Sequence, residues 1–253
     1  DLSDLLRRGQ VELLTGGYFE PILVGVPRRD AVGQIRSLTD RIVQIFGHRP
    51  LGAWLTERVW EPHVPSLLAE AGVAYTVLDE EHFLQAGLRR DELGASFITE
   101  DQGFPVVVFP GSERLRYLIP FRDVSASLKE LKERHAAGAR LQVYADDGEK
   151  FGAWPGTFDR VHKDGWLEDF FSQLAQQDWL ETVTLENAWI FQRPARRVYL
   201  PGGTYPEMAE WSVDAAAARR FTSARNALKD DQASLVVTPP WRTFLAKYPE
   251  ANA

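Results

Sequence analysis

The sequence predicts an α/β barrel, and three observations carry that expectation. Short apolar runs alternate with amphipathic stretches along the whole chain, the pattern of strands paired in parallel through helical crossovers. The runs are apolar throughout, as expected of strands covered on both faces. Strand after strand then ends in a carboxylate: Glu57 after the run 51–56, Asp79 after 75–78, Asp146 and Asp147 after 141–144. Periodicity alone fits a doubly wound sheet as well. Acids gathered at successive strand ends favour the barrel, because barrel chemistry sits at the C-terminal ends of the strands.

The elements follow in order. An opening amphipathic helix is expected over residues 1–9. The run Val11 to Thr15 ends at Gly16-Gly17 and reads as a strand. Val32, Ile35, Leu38, Ile42 and Ile45 recur at helical spacing, with Gly47 and Pro50 as the stop. Residues 51–56 form the next predicted strand. Pro65 starts a short helix closed by Gly72. Strands are predicted at 75–78 and 106–109. Ser125 or Ser127 caps a helix through Leu128 and Leu131. A strand at 141–144, a helix at 166–174, a strand at 198–200 and an alanine-rich helix from a Ser212 cap to about Leu228 complete the series. No linker or repeat interrupts it, so residues 1–253 are expected to form one domain.

Composition removes several function classes. The formal charge of −7 argues against a nucleic-acid partner, which would call for a basic face. No run of about 18 apolar residues predicts a membrane span. The absence of cysteine excludes disulfides and thiolate metal sites. No GxSxG, Walker lysine or GxGxxG motif occurs, which removes the common serine-hydrolase, phosphate-loop and dinucleotide signatures. Eight tryptophans are a mild pointer to sugars, whose apolar faces stack on aromatic rings; any one of them fits a core equally well.

Two constellations can carry chemistry. The first is Trp54-Leu55-Thr56-Glu57-Arg58-Val59-Trp60-Glu61-Pro62; the second runs from Tyr144 through Asp146-Asp147-Gly148-Glu149-Lys150 to Trp154 and Thr157. Glycosidic cleavage with retention uses two carboxyl groups roughly 5–5.5 Å apart, one ionised and one holding its proton. Like-charged neighbours in the cluster Asp146, Asp147 and Glu149 are expected to raise the pKa of one member. Other readings stand beside these: a Glu57–Arg58 salt bridge, an ordinary turn at Asp146-Asp147-Gly148, or a hard cation held by the acids and a distant histidine.

These segments resemble the signatures of glycoside hydrolase family 57, in particular its 4-α-glucanotransferase and α-amylase members. The likeness extends along nearly the whole chain. It takes in Gly16-Gly17-Tyr18-Phe19-Glu20-Pro21, Asp79 with His82-Phe83, and Leu115-Arg116-Tyr117-Leu118-Ile119-Pro120-Phe121. It continues through Tyr205-Pro206-Glu207-Met208-Ala209-Glu210-Trp211-Ser212 and Trp241-Arg242 with Lys247-Tyr248-Pro249-Glu250. The resemblance implies an incomplete, distorted (β/α)7 barrel lacking its first strand, since no His-Gln-Pro motif occurs, and a chain truncated at both ends. Ala145 stands where some members carry a histidine.

By the same resemblance Glu57 is the nucleophile and Asp147 the general acid and base of a retaining double displacement on α-linked glucan. Glu20 and Glu149 would hold sugar hydroxyls, Trp54 and Trp154 would line subsites, and Asp79 and His82 would belong to the substrate site. Glu207, Glu210 and Trp211 would line the rim of the site or start a helix. No metal or organic cofactor is implied. The implied partner is an α-glucan or maltooligosaccharide, with a homo-oligomer as a further expectation and the cytoplasm as the location. Transglycosylation is favoured over hydrolysis of the α-amylase or amylopullulanase type. A non-catalytic glucan-binding barrel and a metal-dependent hydrolase or deacetylase are the alternatives from other classes.

Overall fold

In the computed structural model, residues 1–228, 232, 236 and 239–252 are described. The rest of the expected 1–253 domain lies outside them. Helix α1 (Leu2–Arg7) is capped by Asp1, whose carboxylate accepts from the Ser3 amide. Helix α2 (Arg28–Phe46) buries Ala31, Val32, Ile35, Thr39 and Ile42 along one stripe. It ends at Gly47, which takes the left-handed conformation (φ 68°) and returns its N–H to the Val43 carbonyl.

Four strands form one sheet: β1 (Gly52–Ala53), β2 (Tyr75–Asp79), β3 (Phe97–Asp101) and β4 (Phe104–Gly111), in spatial order β1-β2-β4-β3. Strands β1, β2 and β4 are parallel, with Tyr75 opposite Gly52 on one side and Val107 on the other. Two single bridges continue the parallel array, Thr15 beside Ala53 and Val143 beside Gly111. Five parallel segments therefore point the same way, from the Thr15 segment through β1, β2 and β4 to the Val143 segment. With their helices they make an incomplete (β/α)7 barrel.

Helices α3 (Val64–Glu70), α4 (Glu80–Gln85), α5 (Glu113–Leu118) and α6 (Val124–Ala136) follow or link these strands. Beyond them come α7 (Trp166–Ala175), α8 (Leu185–Phe191), α9 (Pro206–Trp211), α10 (Ala215–Asn226) and α11 (Thr243–Lys247). One face of the sheet packs on α2 and α3 through Ile35, Leu67, Leu68 and Leu78. The other gathers Tyr75, Val77, Phe109, Val143 and, from α8, Ala188. Each fully buried side chain of this size contributes about 1.5–3 kcal/mol. At the N-terminal end of β2 the Tyr75 hydroxyl donates to Glu12, whose other oxygen accepts from the Glu186 amide of α8 at 2.8 Å.

Several expectations need correction. Strand β3 is antiparallel to β4 and was not expected; the residues that turn it, Gln102 and Gly103, both have positive φ, as a two-residue hairpin loop requires. The runs around Thr15 and Val143 are single bridges rather than strands. At the predicted strand 198–200, pairing is limited to Arg197 beside Ile98, with the Val198 amide donating to the Ile98 carbonyl at 2.8 Å. Helix α6 starts at Val124, with Asp123 in the N-cap position in place of Ser125 or Ser127; Ser127 lies a turn inside it, fully buried. Ser212 ends α9 and donates to the Ala209 carbonyl, whereas Asp214 caps α10 through the amides of Ala216 and Ala217.

Candidate active site

Glu57 sits in a 3-10 turn, Thr56–Arg58, just past the C-terminal end of β1. Glu57 and Arg58 both take left-handed backbone angles, φ 55° and 49°. Such a conformation costs a residue with a side chain on the order of 1–2 kcal/mol, so it persists only where the surroundings fix it. The segment Gly203–Tyr205 does this. Trp60 and Gly203 exchange two backbone bonds (2.8 and 2.9 Å), and the Thr204 hydroxyl donates to the Glu57 carbonyl at 2.6 Å. The Tyr205 hydroxyl donates to Glu57 Oε2. Burial, and after it the bond to Glu57, pushes this hydroxyl well above the ordinary tyrosine pKa, so it remains a donor.

The Glu57–Arg58 salt bridge does not form. Arg58 is buried, with its guanidinium over the rings of Tyr205 (4.3 Å) and Trp54 (5.2 Å). It makes no ion pair among the described residues. Trp54 is half-buried against the Tyr75 cluster.

Arg116 of α5 also bears on the Tyr205 ring, 5.1 Å from its centroid. Arg116 donates to Asp79 Oδ2 at 2.9 Å and stands 3.7 Å from Asp146. Asp79 ends β2 and caps α4 by accepting from the Glu81 amide. Asp146 is turned inward and neutralised by Lys150, whose ammonium also donates to the Arg116 carbonyl at 2.8 Å. The acidic cluster is thus not three carboxylates facing one another, because two cations hold Asp146 apart from its neighbours. Asp147 accordingly takes the outward position. Its amide donates to Asp146 Oδ1 at 3.0 Å, and its carboxylate is exposed, with no hydrogen bond or ion pair among the described residues.

The other expected site residues divide in two. Glu20, Glu149 and Trp154 are exposed. Glu20 follows the Thr15 segment in a tight turn, with its amide on the Gly17 carbonyl and φ 50°. Trp154 stacks on Phe121 at 6.1 Å and an angle of 26°, with the Lys150 ammonium 5.3 and 5.5 Å from the two rings. Asp79 and His82, by contrast, are 1% and 2% exposed. Asp79 accepts from Arg116 and caps α4, and His82 Nδ1 faces the Asp79 carbonyl at 3.1 Å. Burial lowers the His82 pKa and keeps the ring neutral.

Glu207 accepts from the Tyr117 hydroxyl, Glu210 pairs with Thr222, and Trp211 is exposed. None of the three caps a helix start, since α9 begins at Tyr205-Pro206 without a side-chain cap. Sequence reasoning missed the central parts played by Tyr205, Arg58, Arg116 and Lys150. Arg58 and Lys150 stand inside the two segments that carry the acids, and Arg116 and Tyr205 inside two of the other family-like segments.

A cavity of about 700 Å³ lies elsewhere, between α6, α7 and residues 179–185. It is walled by Leu131, Leu141, Phe170, Leu174 and Trp179 and contains none of the candidate acids. No group of three or more acids or histidines in metal-binding geometry exists among the described residues.

The model of glycosyl hydrolase family 57 matches residues 1–201. The chain belongs to this family. An "Alpha-amylase" from Pyrococcus horikoshii is 42% identical over 257 residues, covering 99% of this chain and 40% of the relative. A "4-alpha-glucanotransferase" from Thermococcus litoralis is 39% identical, covering 99% of this chain and 39% of its own length. A crystal structure of the 4-alpha-glucanotransferase from that organism superposes with a TM-score of 0.91 over 99% of this chain and 40% of the other. The chain thus spans about two fifths of the length of the curated relatives it matches. The crystal structure of the alpha-amylase AmyC from Thermotoga maritima, at 15% identity and a TM-score of 0.63, shares the family 57 fold. No described helix is long and apolar enough to cross a membrane.

Proposed function

We propose that this chain supplies the catalytic carboxylates of a retaining enzyme acting on α-1,4-glucan, with glycosyl transfer between glucan chains as its main reaction. The observation that carries the reading is the pair Glu57 and Asp147. Both follow parallel strand segments at the same end of the sheet, neither is locked in an ion pair among the described residues, and one contact chain (Glu57, Tyr205, Arg116, Asp146) runs between their surroundings. The relatives named as glucanotransferases and amylases match this chain from end to end.

In the first step a Glu57 carboxylate oxygen forms a bond to the anomeric carbon. The glycosidic C–O bond breaks, and the departing oxygen takes the proton of Asp147. In the second step the 4-hydroxyl of another glucan attacks the anomeric carbon, the ester bond breaks, and the hydroxyl proton returns to Asp147. Glu20 and Glu149, both exposed, are placed to accept from sugar hydroxyls, and Trp54 and the Trp154–Phe121 pair to stack on sugar rings. Asp79 and His82 act beneath them, as support. These steps call on no cofactor, and a cytoplasmic glucan fits the cysteine-free sequence.

Hydrolysis is the second reading, favoured by the relatives named alpha-amylase. Incubation with a single maltooligosaccharide separates the two: transfer yields longer and shorter chains with little new reducing sugar, hydrolysis yields reducing ends in step with cleavage. Glu57→Ala in the native full-length polypeptide is expected to lower turnover by roughly 10⁴-fold or more while oligosaccharide binding, read by calorimetry, persists. Turnover at the unaltered rate would remove Glu57 from the reaction.

A further inference from the structure

Tyr205 touches both halves of the proposed site and has no part in the two chemical steps above. Two guanidinium groups bear on its ring, Arg58 at 4.3 Å and Arg116 at 5.1 Å. Arg116 is itself fixed, by Asp79 at 2.9 Å and by its carbonyl on Lys150. Arg58 is buried and bears on Trp54 as well. A half-buried ring in contact with two fixed guanidinium groups has little freedom, so the direction of its hydroxyl is set by the scaffold. That hydroxyl points at one oxygen of Glu57, Oε2. The neighbouring residues hold the same turn: Thr204 bonds the Glu57 carbonyl and Gly203 is bridged to Trp60.

We propose that Tyr205 is the positioning residue of the Glu57 carboxylate, fixing Oε2 by its hydroxyl so that Oε1 is left free to attack the anomeric carbon. The inference rests on the reading of Glu57 as nucleophile. A carboxylate on a three-torsion side chain otherwise samples several orientations, and attack requires near-alignment with the breaking bond. In the ester, Oε2 is the carbonyl oxygen; it keeps the same donor through both steps, so the two chemical events need no rearrangement of Tyr205.

The test is Tyr205→Phe in the native full-length polypeptide, with Glu57→Ala beside it. Phenylalanine keeps the ring against Arg58 and Arg116 and removes only the donor. Rates are compared at a fixed interval below the Tm of each variant, so lost stability does not enter. The expected result is a kcat lowered about 10- to 100-fold, the loss of a hydrogen bond to a charged group, with KM nearly unchanged. A residue that served packing alone would lower Tm and leave kcat unmoved at that fixed interval below it. Unchanged kcat, with Glu57→Ala inactive, overturns the positioning role and leaves the nucleophile intact. An active Glu57→Ala overturns the reading of the site itself.

Discussion

Arg116 shows how much one side chain can hold together. It lies between Asp79 and Asp146, both nearly excluded from solvent, and its ring contact with Tyr205 reaches toward Glu57. Removing one partner of a buried charge set leaves the others unpaired, which costs about 3–5 kcal/mol. Arg116→Met, which keeps the length but not the charge, is expected to lower stability by that order in denaturant unfolding and to lower turnover as well. A variant as stable as the parent would show that Lys150 alone neutralises Asp146. The acids themselves were legible in the sequence, because a carboxylate directly after an apolar run is visible without coordinates. Which of them faces outward was not. Asp146 and Asp147 are adjacent in the chain, and only the inward pull of Lys150 and Arg116 on Asp146 separates their roles. Similarly, Asp79 and His82 read as site residues, yet both are buried, Asp79 against Arg116 and His82 against the Asp79 carbonyl.

Among the secondary elements, the long periodic ones were the easiest to read. Helix α2 carries a stripe of five buried residues and a glycine stop, and its bounds follow from both. Strand β3 was hidden because its residues 99–101, Thr-Glu-Asp, carry no apolar run. Its only pointer was Gln102-Gly103, a loop of two positive-φ residues. The start of α6 is displaced from the serines because Asp123 occupies the N-cap position, yet it makes no side-chain cap bond and turns its carboxylate to Arg160 at 3.2 Å. Strand β1 is the shortest and the most tightly constrained. Gly52 faces the ring of Tyr75 directly: a Cβ there would sit 2.2 Å from Tyr75 Cε2 and 2.6 Å from Leu14 Cδ2. Gly52→Ala is therefore expected to cost about 1–3 kcal/mol, the usual penalty of overpacking a close-packed core. The same change, by pushing β1 away from β2, displaces the turn that carries Glu57. A melt showing no change in Tm would mean that Tyr75 can swing aside, at the expense of its bond to Glu12.

Across the fold as a whole, apolar packing and charge occupy different territory. The sheet faces are apolar, while the C-terminal strand ends carry buried ionic groups: Asp79, Arg116, Asp146 and Lys150, Glu80 with Arg134, and Glu81 with Arg225. His82 is embedded in this region with Asp79 and Arg58 as its charged neighbours, and burial dominates, lowering its pKa. In the unfolded chain histidine titrates near about 6.5. Between that value and the lower one of the folded state, the unfolded chain binds a proton that the native protein does not. Stability therefore falls as the pH drops below about 6.5, with a limiting slope of about 1.4 kcal/mol per pH unit for one proton. Denaturant unfolding at a series of pH values from 7.5 to 5 is expected to show this decline, and His82→Gln to remove most of it. Burial raises the Glu80 and Glu113 carboxyls, which contribute with the opposite sign, so the difference between the parent and His82→Gln isolates the histidine. A His82→Gln profile that runs parallel to the parent's from pH 7.5 to 5 would mean that the folded state accepts the proton. Asp79 would then outweigh burial, and His82 would be charged beside it.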